Sequence, residues 1–326
     1  MKKELGFCVV GCGKMGVRRI NSVVKHKNSR LISIVDADGK RLNEIYRKYK
    51  LKCKKFEDYK KAIDDSDVNC VIVCTPNKFH FPVSIFALSK KKHVLCEKPL
   101  AMSPKEALKM VKLSEKNGLF LKTGSNHRFF PNVKRAKEFI EKGVIGNINF
   151  IYGEIGHKKS LPDWYKKKDL SGGGTIIDNG VHLIDIARWL CGDFKECYGR
   201  VHSMSDTEVE DNGFAFLKSK NKNLFLKSSW NKSNGYMKIE ILGERGSLVI
   251  ECDDGKTKLV HFMDGKNKTY DFSHLPFNSF DLDFEEFVKA VLGNRQPLAS
   301  GDDGLKAVEI VSAIYRSSKN GKVVSI

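Results

Sequence analysis

Three groups of residues in this chain have the types and spacing of a reaction centre. Gly11-Cys12-Gly13-Lys14-Met15-Gly16 lies near the start, Glu97-Lys98-Pro99 closes an apolar run, and Asp178-x-x-x-His182 sits on an apolar helical pattern. A lysine at the carboxyl end of a buried strand stands where ligands bind in open α/β sheets. There Lys98 can donate to a hydroxyl and favour its alkoxide, which lowers the barrier to losing a carbon-bound hydride. His182 has an ordinary pKa near neutrality and is the expected general base. Asp178, four positions earlier, would orient substrate or hold the proton-transfer network. Asp185 is read as a brace for His182 or for the helix. The spacing places all three on one helix face, where a polar strip is costly unless it is paired or meets a ligand. Glycines 172–174 read as a flexible approach to that helix. The chemistry expected is hydride transfer on a sugar-like alcohol.

The Gly11–Gly16 loop follows an apolar strand and precedes a helix expected from about Val17. Its glycines, with Cys12, Lys14 and Met15 between them, let backbone approach a pyrophosphate at the helix N-terminus. Asp36 ends the next strand, where an acid accepts from the adenosine ribose hydroxyls. Asp38 adds a second carboxylate that would repel a 2′-phosphate. NAD is therefore the expected cofactor in preference to NADP, although Arg41 is a nearby cation.

These residues need a frame. Phe7–Val10, Leu31–Val35, Val71–Val73 and His93–Cys96 are nearly continuous apolar runs, as in strands buried on both faces of a parallel sheet. Helical stretches lie between them, such as 83–92 and 104–117, the latter closed by Gly118. After about residue 123 the pattern changes to alternation. Ile148, Phe150 and Tyr152 read as one strand face; Phe214 and Phe216, then Leu224 and Leu226, flank a turn at Asn221-Lys222-Asn223. Ile239 and Ile241 lead through Gly243-Glu244-Arg245-Gly246 to Leu248 and Ile250, a hairpin pattern. Phe280, Phe284, Phe287 and Val288 mark one face of a late helix. The expected fold is α/β: a doubly wound parallel sheet in a dinucleotide-binding domain over 1–123, then an α+β domain over 124–326 with a large, mostly antiparallel open sheet. Catalysis is expected in the cleft between the two.

Composition narrows the function classes. The 326 residues carry a formal charge of +19, with 28 basic against 12 acidic residues in 1–122 and 30 against 27 after that. The lysines scatter over helix faces without interleaved aromatics, so a solvated surface is expected rather than nucleic-acid binding. A field that attracts an anionic cofactor is the functional reading of the same excess. No apolar stretch reaches the roughly 20 residues of a membrane span. Met1-Lys2-Lys3-Glu4 leads straight into a strand without a signal-peptide pattern, so a cytoplasmic enzyme is the expectation. The nine cysteines mostly sit in strand-like runs and read as buried thiols, with no metal site.

Taken together, Gly11-x-Gly13-x-x-Gly16, Asp36, Thr75-Pro76-Asn77-x-x-His80, Glu97-Lys98-Pro99, Asn126-x-Arg128-Phe129 and Gly173-Gly174-x-x-x-Asp178-x-Gly180-x-His182-x-x-Asp185 resemble the Gfo/Idh/MocA family. The ending Pro297–Gly301 through Ser317–Gly321 is similar too, so the likeness spans nearly the whole chain. The resemblance implies a Lys98-Asp178-His182 constellation, and a cofactor lying along Thr75, Asn77, His80, Glu97, Lys98 and Asn126. It implies Arg128 among the substrate contacts. It also implies a homo-oligomer, dimer or tetramer, formed through the open sheet. His127 departs from the family pattern, where many members carry an arginine or a small residue.

Upstream of the catalytic helix, Ser160-Leu161-Pro162-Asp163-Trp164-Tyr165-Lys166-Lys167-Lys168 offers aromatics, Trp164 first, to stack on a sugar ring. Its lysines suit a phosphate or nucleotide, so sugar, cyclitol and nucleotide-sugar substrates all stay open. Two other readings share the fold: an oxidation–elimination glycosidase that uses NAD transiently, and a NAD-sensing regulator without turnover. Lys98 in its Glu-Lys-Pro setting argues against the first, and intact Lys98, Asp178 and His182 argue against the second.

Overall fold

Strands that must be buried on both faces can only form the middle of a covered sheet, and this is how the first third of the chain folds. The computed structural model describes residues 4–157, 161–231, 235–253 and 255–326. Strands β1 (Leu5–Val10), β2 (Ser29–Val35), β3 (Lys54–Phe56), β4 (Cys70–Val73), β5 (His93–Glu97) and β6 (Leu121–Gly124) form one sheet. Its order is β3-β2-β1-β4-β5-β6, and every pairing is parallel. Every residue of β1 and β4 is buried. Cys8, Cys12, Cys70 and Cys96 are buried free thiols, and burial pushes Cys8 up to about 12.

The first break between compact units follows Asn126, close to the expected residue 123, but a later stretch returns to the first unit. One compact unit comprises Met1–Asn126 together with Asn278–Lys306; the other comprises His127–Phe277 and Ala307–Ile326. The reason is the late amphipathic helix. Asn278 caps Ser279–Leu292 by accepting from the Phe280 and Asp281 amides. Phe284, Phe287 and Val288 then enter the core of the first unit with Phe7, Ile20, Val23 and Ile34. Phe284 meets Phe7 edge-on at 5.0 Å.

The second unit is built on nine strands: β7 (Ile148–Gly156), β8 (Glu196–His202), β9 (Asn212–Lys218), β10 (Asn223–Ser229), β11 (Tyr236–Gly243), β12 (Ser247–Asp253), β13 (Lys256–Met263), β14 (Lys266–Asp271) and β15 (Val324–Ser325). Their order is β14-β13-β12-β11-β7-β10-β9-β8-β15. Among the described residues only β7 and β10 run parallel; the other neighbours are antiparallel. Helices Pro131–Glu141 and Val181–Cys191 supply Val133, Phe139, Leu183, Ile184 and Ile186 to the core under one face.

Two strands have the opposite phase to that expected. Ile151, Gly153 and Ile155 of β7 and Gly213, Ala215 and Leu217 of β9 face the core, whereas Phe150, Tyr152, Phe214 and Phe216 lie on the other side. The inner face takes aliphatic and small residues because helix side chains press on it: a Cβ on Gly153 would stand 2.8 Å from Leu183 Cδ1. The expected inward positions Leu224, Leu226, Ile239, Ile241, Leu248 and Ile250 do point to the core.

Candidate active site

In the first unit the glycine loop joins β1 to helix Lys14–Lys25, which begins three residues earlier than Val17. Gly13 is the N-cap, and no acidic side chain occupies the first turn. An uncapped N-terminus of this kind suits a phosphate group. Gly16 is required by close packing, since a Cβ there would lie 1.8 Å from the Gly11 carbonyl oxygen. Gly13 is different: a Cβ there would meet no protein atom within 4 Å. These features fit a dinucleotide.

Asp36, buried at the end of β2, accepts from the Cys12 amide at 2.8 Å through Oδ2 and from the Asp38 amide at 2.9 Å through Oδ1. The aspartate therefore ties the glycine loop to the next strand. Asp38 caps the following helix by accepting from the Lys40 and Arg41 amides, and these bonds hold its carboxyl below the usual range. Arg41 sits between the two acids, 3.4 Å from Asp36 and 3.2 Å from Asp38.

Lys98 follows the last residue of β5 and is half-buried; its peptide bond to Pro99 is cis. Glu97, expected along the cofactor, is turned inward: Arg19 Nη2 lies 2.7 Å from its Oε1, and Arg19 Nε donates to the same oxygen at 2.7 Å. His80, also expected along the cofactor, is held by backbone. It is 1% exposed, and its ring nitrogens lie 2.7 Å from the Pro99 carbonyl and 2.9 Å from the Thr75 carbonyl. His80 thus clamps the Thr75–His80 turn to the Glu97-Lys98-Pro99 turn. Burial holds its imidazole below the ordinary value against the pull of those two acceptors. Asn77 and Asn126 are buried, and Asn126 donates to Ser279 Oγ at 2.9 Å.

In the second unit Asp178 does not lie on the α-helix. Ile176–Gly180 is a π-turn that precedes helix Val181–Cys191, a local widening that recurs at functional sites. The glycines before it are packed, not flexible. A Cβ on Gly174 would stand 1.7 Å from the Glu210 carbonyl oxygen, and one on Gly173 would strike the Tyr315 ring. The buried Glu210 carboxylate accepts from the Gly174 amide at 2.9 Å, the Ile176 amide at 3.1 Å and Tyr315 Oη at 2.8 Å. It thereby satisfies amides at the start of the helical segment. Burial outweighs these donors and raises its pKa.

The Asp178 carboxylate is 6% exposed as a residue. Trp230 Nε1 donates to its Oδ2 at 3.1 Å, and His157 Nε2 stands 3.7 Å from the same oxygen. His182, half-buried on the helix that follows, stacks on His127. Of the two roles expected for Asp185, its contacts show the brace on the helix. Its two oxygens take Arg128 Nε at 2.8 Å and Nη2 at 2.6 Å. Arg128, expected among the substrate contacts, is 1% exposed and holds the helix through this pair. Trp164 is half-buried and packs on Tyr165, with ring centroids 3.8 Å apart; Ser160 of that stretch lies outside the described residues. Trp230, His157, Glu210 and Tyr315 carry no local motif, and only the fold reveals them.

Among the described residues no group of three or more His, Cys, Asp or Glu could hold a metal ion. No helix among the described residues is long and apolar enough to cross a membrane.

Residues 5–125 match the model of an oxidoreductase family with a NAD-binding Rossmann fold, and residues 137–326 match the model of that family's C-terminal alpha/beta domain. The chain is 27% identical over 331 residues to the myo-inositol 2-dehydrogenase of Thermotoga maritima, covering 98% of this chain and 97% of that one. Its fold is similar to the crystal structure of aldose-aldose oxidoreductase from Caulobacter crescentus complexed with glycerol, with a TM-score of 0.89, 25% identity and coverage of 99% and 100%. It is also similar to levoglucosan dehydrogenase in complex with NADH, with a TM-score of 0.90, 22% identity and 99% of each chain covered.

Proposed function

This chain belongs to the Gfo/Idh/MocA oxidoreductase family, and from that premise we propose that it is an NAD-dependent dehydrogenase of a secondary alcohol on a sugar or cyclitol. The observation that carries this reading is the seat of Asp178. A carboxylate almost withdrawn from water, held by the Trp230 indole N–H, directly precedes the helix that bears His182. A buried carboxylate is costly to maintain unless it is paired or meets a ligand, and the His157 imidazole stands 3.7 Å from its Oδ2, so a place in the substrate site suits it. The substrate class is supported by the relatives named myo-inositol 2-dehydrogenase and D-glucoside 3-dehydrogenase.

In this reading Lys98 donates to the substrate hydroxyl and stabilises developing alkoxide charge. His182 takes the hydroxyl proton, while Asp178 fixes the polar end of the substrate. NAD, when bound, supplies the acceptor for the hydride. Gly11, Gly13 and Gly16 would admit its pyrophosphate, and Asp36 its adenosine ribose. The two carboxylates Asp36 and Asp38 support NAD over NADP.

The test is NADH formation across sugars, inositols, sugar phosphates and nucleotide-sugars, with Lys98→Ala and His182→Ala in parallel. A rate that depends on both residues supports the reading and names the substrate class. Either variant keeping the wild-type rate removes that residue from the mechanism. NAD binding without NADH formation across the panel would favour a retained-cofactor cycle.

The outer face of the nine-stranded sheet supports a homo-oligomer. Tyr198, Phe216, Phe225 and Tyr152 are directly paired across β8, β9, β10 and β7, and Phe216 is 37% exposed. Tyr152 and Phe225 stack at 5.8 Å. An aromatic row of this kind suits a self-complementary contact. Light scattering on wild type and Phe216→Glu tests it: an oligomer that dissociates in the variant supports the face, and an unchanged mass argues against it.

A further inference from the structure

Phe130, His127 and His182 form an aromatic cluster in the second unit. The His127 and His182 ring centroids are 4.0 Å apart with planes inclined by 16°. Phe130 lies against His127 at 4.7 Å. Both histidines are half-buried, and His127 Nδ1 is shielded from solvent. Next in sequence, Arg128 grips Asp185 through two hydrogen bonds. Residues 127 and 128 therefore engage positions 182 and 185 of one helix, less than one turn apart.

We infer that His127 is a positioning residue that sets the ring plane of His182, an inference that rests on His182 acting as the base. The second torsion of a histidine is broad and roughly two-fold, so ring orientation is weakly specified by the side chain itself. A base needs its lone pair aimed at the hydroxyl proton. A flat partner at van der Waals distance restricts that torsion, because turning the ring out of plane would drive its edge into the neighbour. The Arg128–Asp185 pair fixes the register in which the two rings meet, and Phe130 packs against His127 with its plane tilted by 41°. The property used is the flat aromatic surface of residue 127, not its ability to titrate.

Replacing the ring tests this. His127→Ala should lower kcat about tenfold or more, the scale of misplacing a reacting group, while KM for NAD stays unchanged. His127→Phe keeps a flat ring and should recover most of the loss, whereas His127→Leu, apolar but not flat, should not. The assay uses NAD with myo-inositol, D-glucose and the best alcohol of the panel above. An activity-independent reading comes from ¹³C-histidine-labelled protein without cofactor. The His182 Cε1–Hε1 resonance should move in the Leu variant, which loses the ring current, and keep ring-current character in the Phe variant.

Equal rates for Leu and Phe variants, or an unchanged kcat in both, would overturn the inference. His182→Ala serves as the separate control. If it is slow while His127→Leu is fast, only the positioning role fails. If His182→Ala keeps the wild-type rate, the base assignment itself fails. Should His127→Ala unfold, the Phe and Leu pair still decides, since both keep an apolar group at the site.

Discussion

Arg19 Nη2 lies 2.7 Å from Glu97 Oε1, inside the protein and one residue before Lys98. The same nitrogen is 2.7 Å from Asp283 Oδ2, a charge contact without hydrogen-bond alignment, and Lys122 Nζ is 2.8 Å from Asp283 Oδ1. Arg19, Lys122 and Asp283 are fully buried. Removing one partner of such a set strands the others without water. Arg19→Met should therefore cost about 3–5 kcal/mol, read as a lower urea midpoint with the same slope. A cost near zero would show that the charges rearrange or admit water.

Trp230 provides a narrower test at the candidate site. Trp230→Phe keeps an aromatic body but removes the donor to Asp178. A hydrogen bond to a charged group contributes about 1.5–3 kcal/mol, so turnover should fall about tenfold or more. NAD affinity, measured by fluorescence titration, should be retained. Parallel losses in both would point to general disruption.

Two glycines should behave in opposite ways. Gly174→Ala forces a Cβ onto the Glu210 carbonyl and should lower the melting midpoint. Gly13→Ala meets no protein atom, so the midpoint should hold while KM for NAD rises, because the methyl group would occupy space expected for cofactor. Unchanged KM would remove Gly13 from the pyrophosphate site.

Asp36 and Arg41 together control the cofactor prediction. In Asp36→Ser the acid is gone and Arg41 loses one of its two carboxylate neighbours. The ratio of kcat/KM for NADP to that for NAD should rise, and with it the apparent role of Arg41 as a phosphate contact. A falling or constant ratio would show that specificity is set elsewhere.

His93 supplies a pH signature. Burial holds its imidazole below the ordinary 6.5, and the Phe120 amide donates to Nδ1 at 3.0 Å, which only an unprotonated nitrogen accepts. Between the folded and unfolded pKa values the folded state binds fewer protons, so stability rises with pH. This contribution is full above 6.5 and is lost as pH falls through the folded value. His93→Asn keeps an acceptor but cannot titrate, so its urea midpoint should drop less than wild type on acidification from about pH 7.5 to about pH 5.5. His26 and His80, also shifted downward by burial, form a background common to both proteins.

Much was legible because some physical requirements are local. A doubly buried strand must be apolar along its length, which exposed β1, β2, β4 and β5. A phosphate-binding turn needs glycine where backbone must approach, and Lys98 could be placed because it ends such a strand. Asp178 and His182 stood out as polar groups on an apolar pattern.

Other features depend on contacts between distant positions. Phe214 and Phe216 alternate as an inward strand would, yet the available helix side chains select Ala215 and Leu217 for the core. Glu210 and Trp230 acquire their roles only when β9 and β10 bring them to the Gly174–Asp178 turn.

The sequence by itself determined the parallel dinucleotide fold, the family and the identity of the candidate reacting residues, because periodicity and short motifs encode them locally. Tertiary structure alone decided that 278–306 returns to the first unit, that Arg128 and Asp185 bind each other, and that His127 lies on His182. Those outcomes follow from which buried surfaces and charges find partners across long sequence separations, and no local spacing specifies that choice.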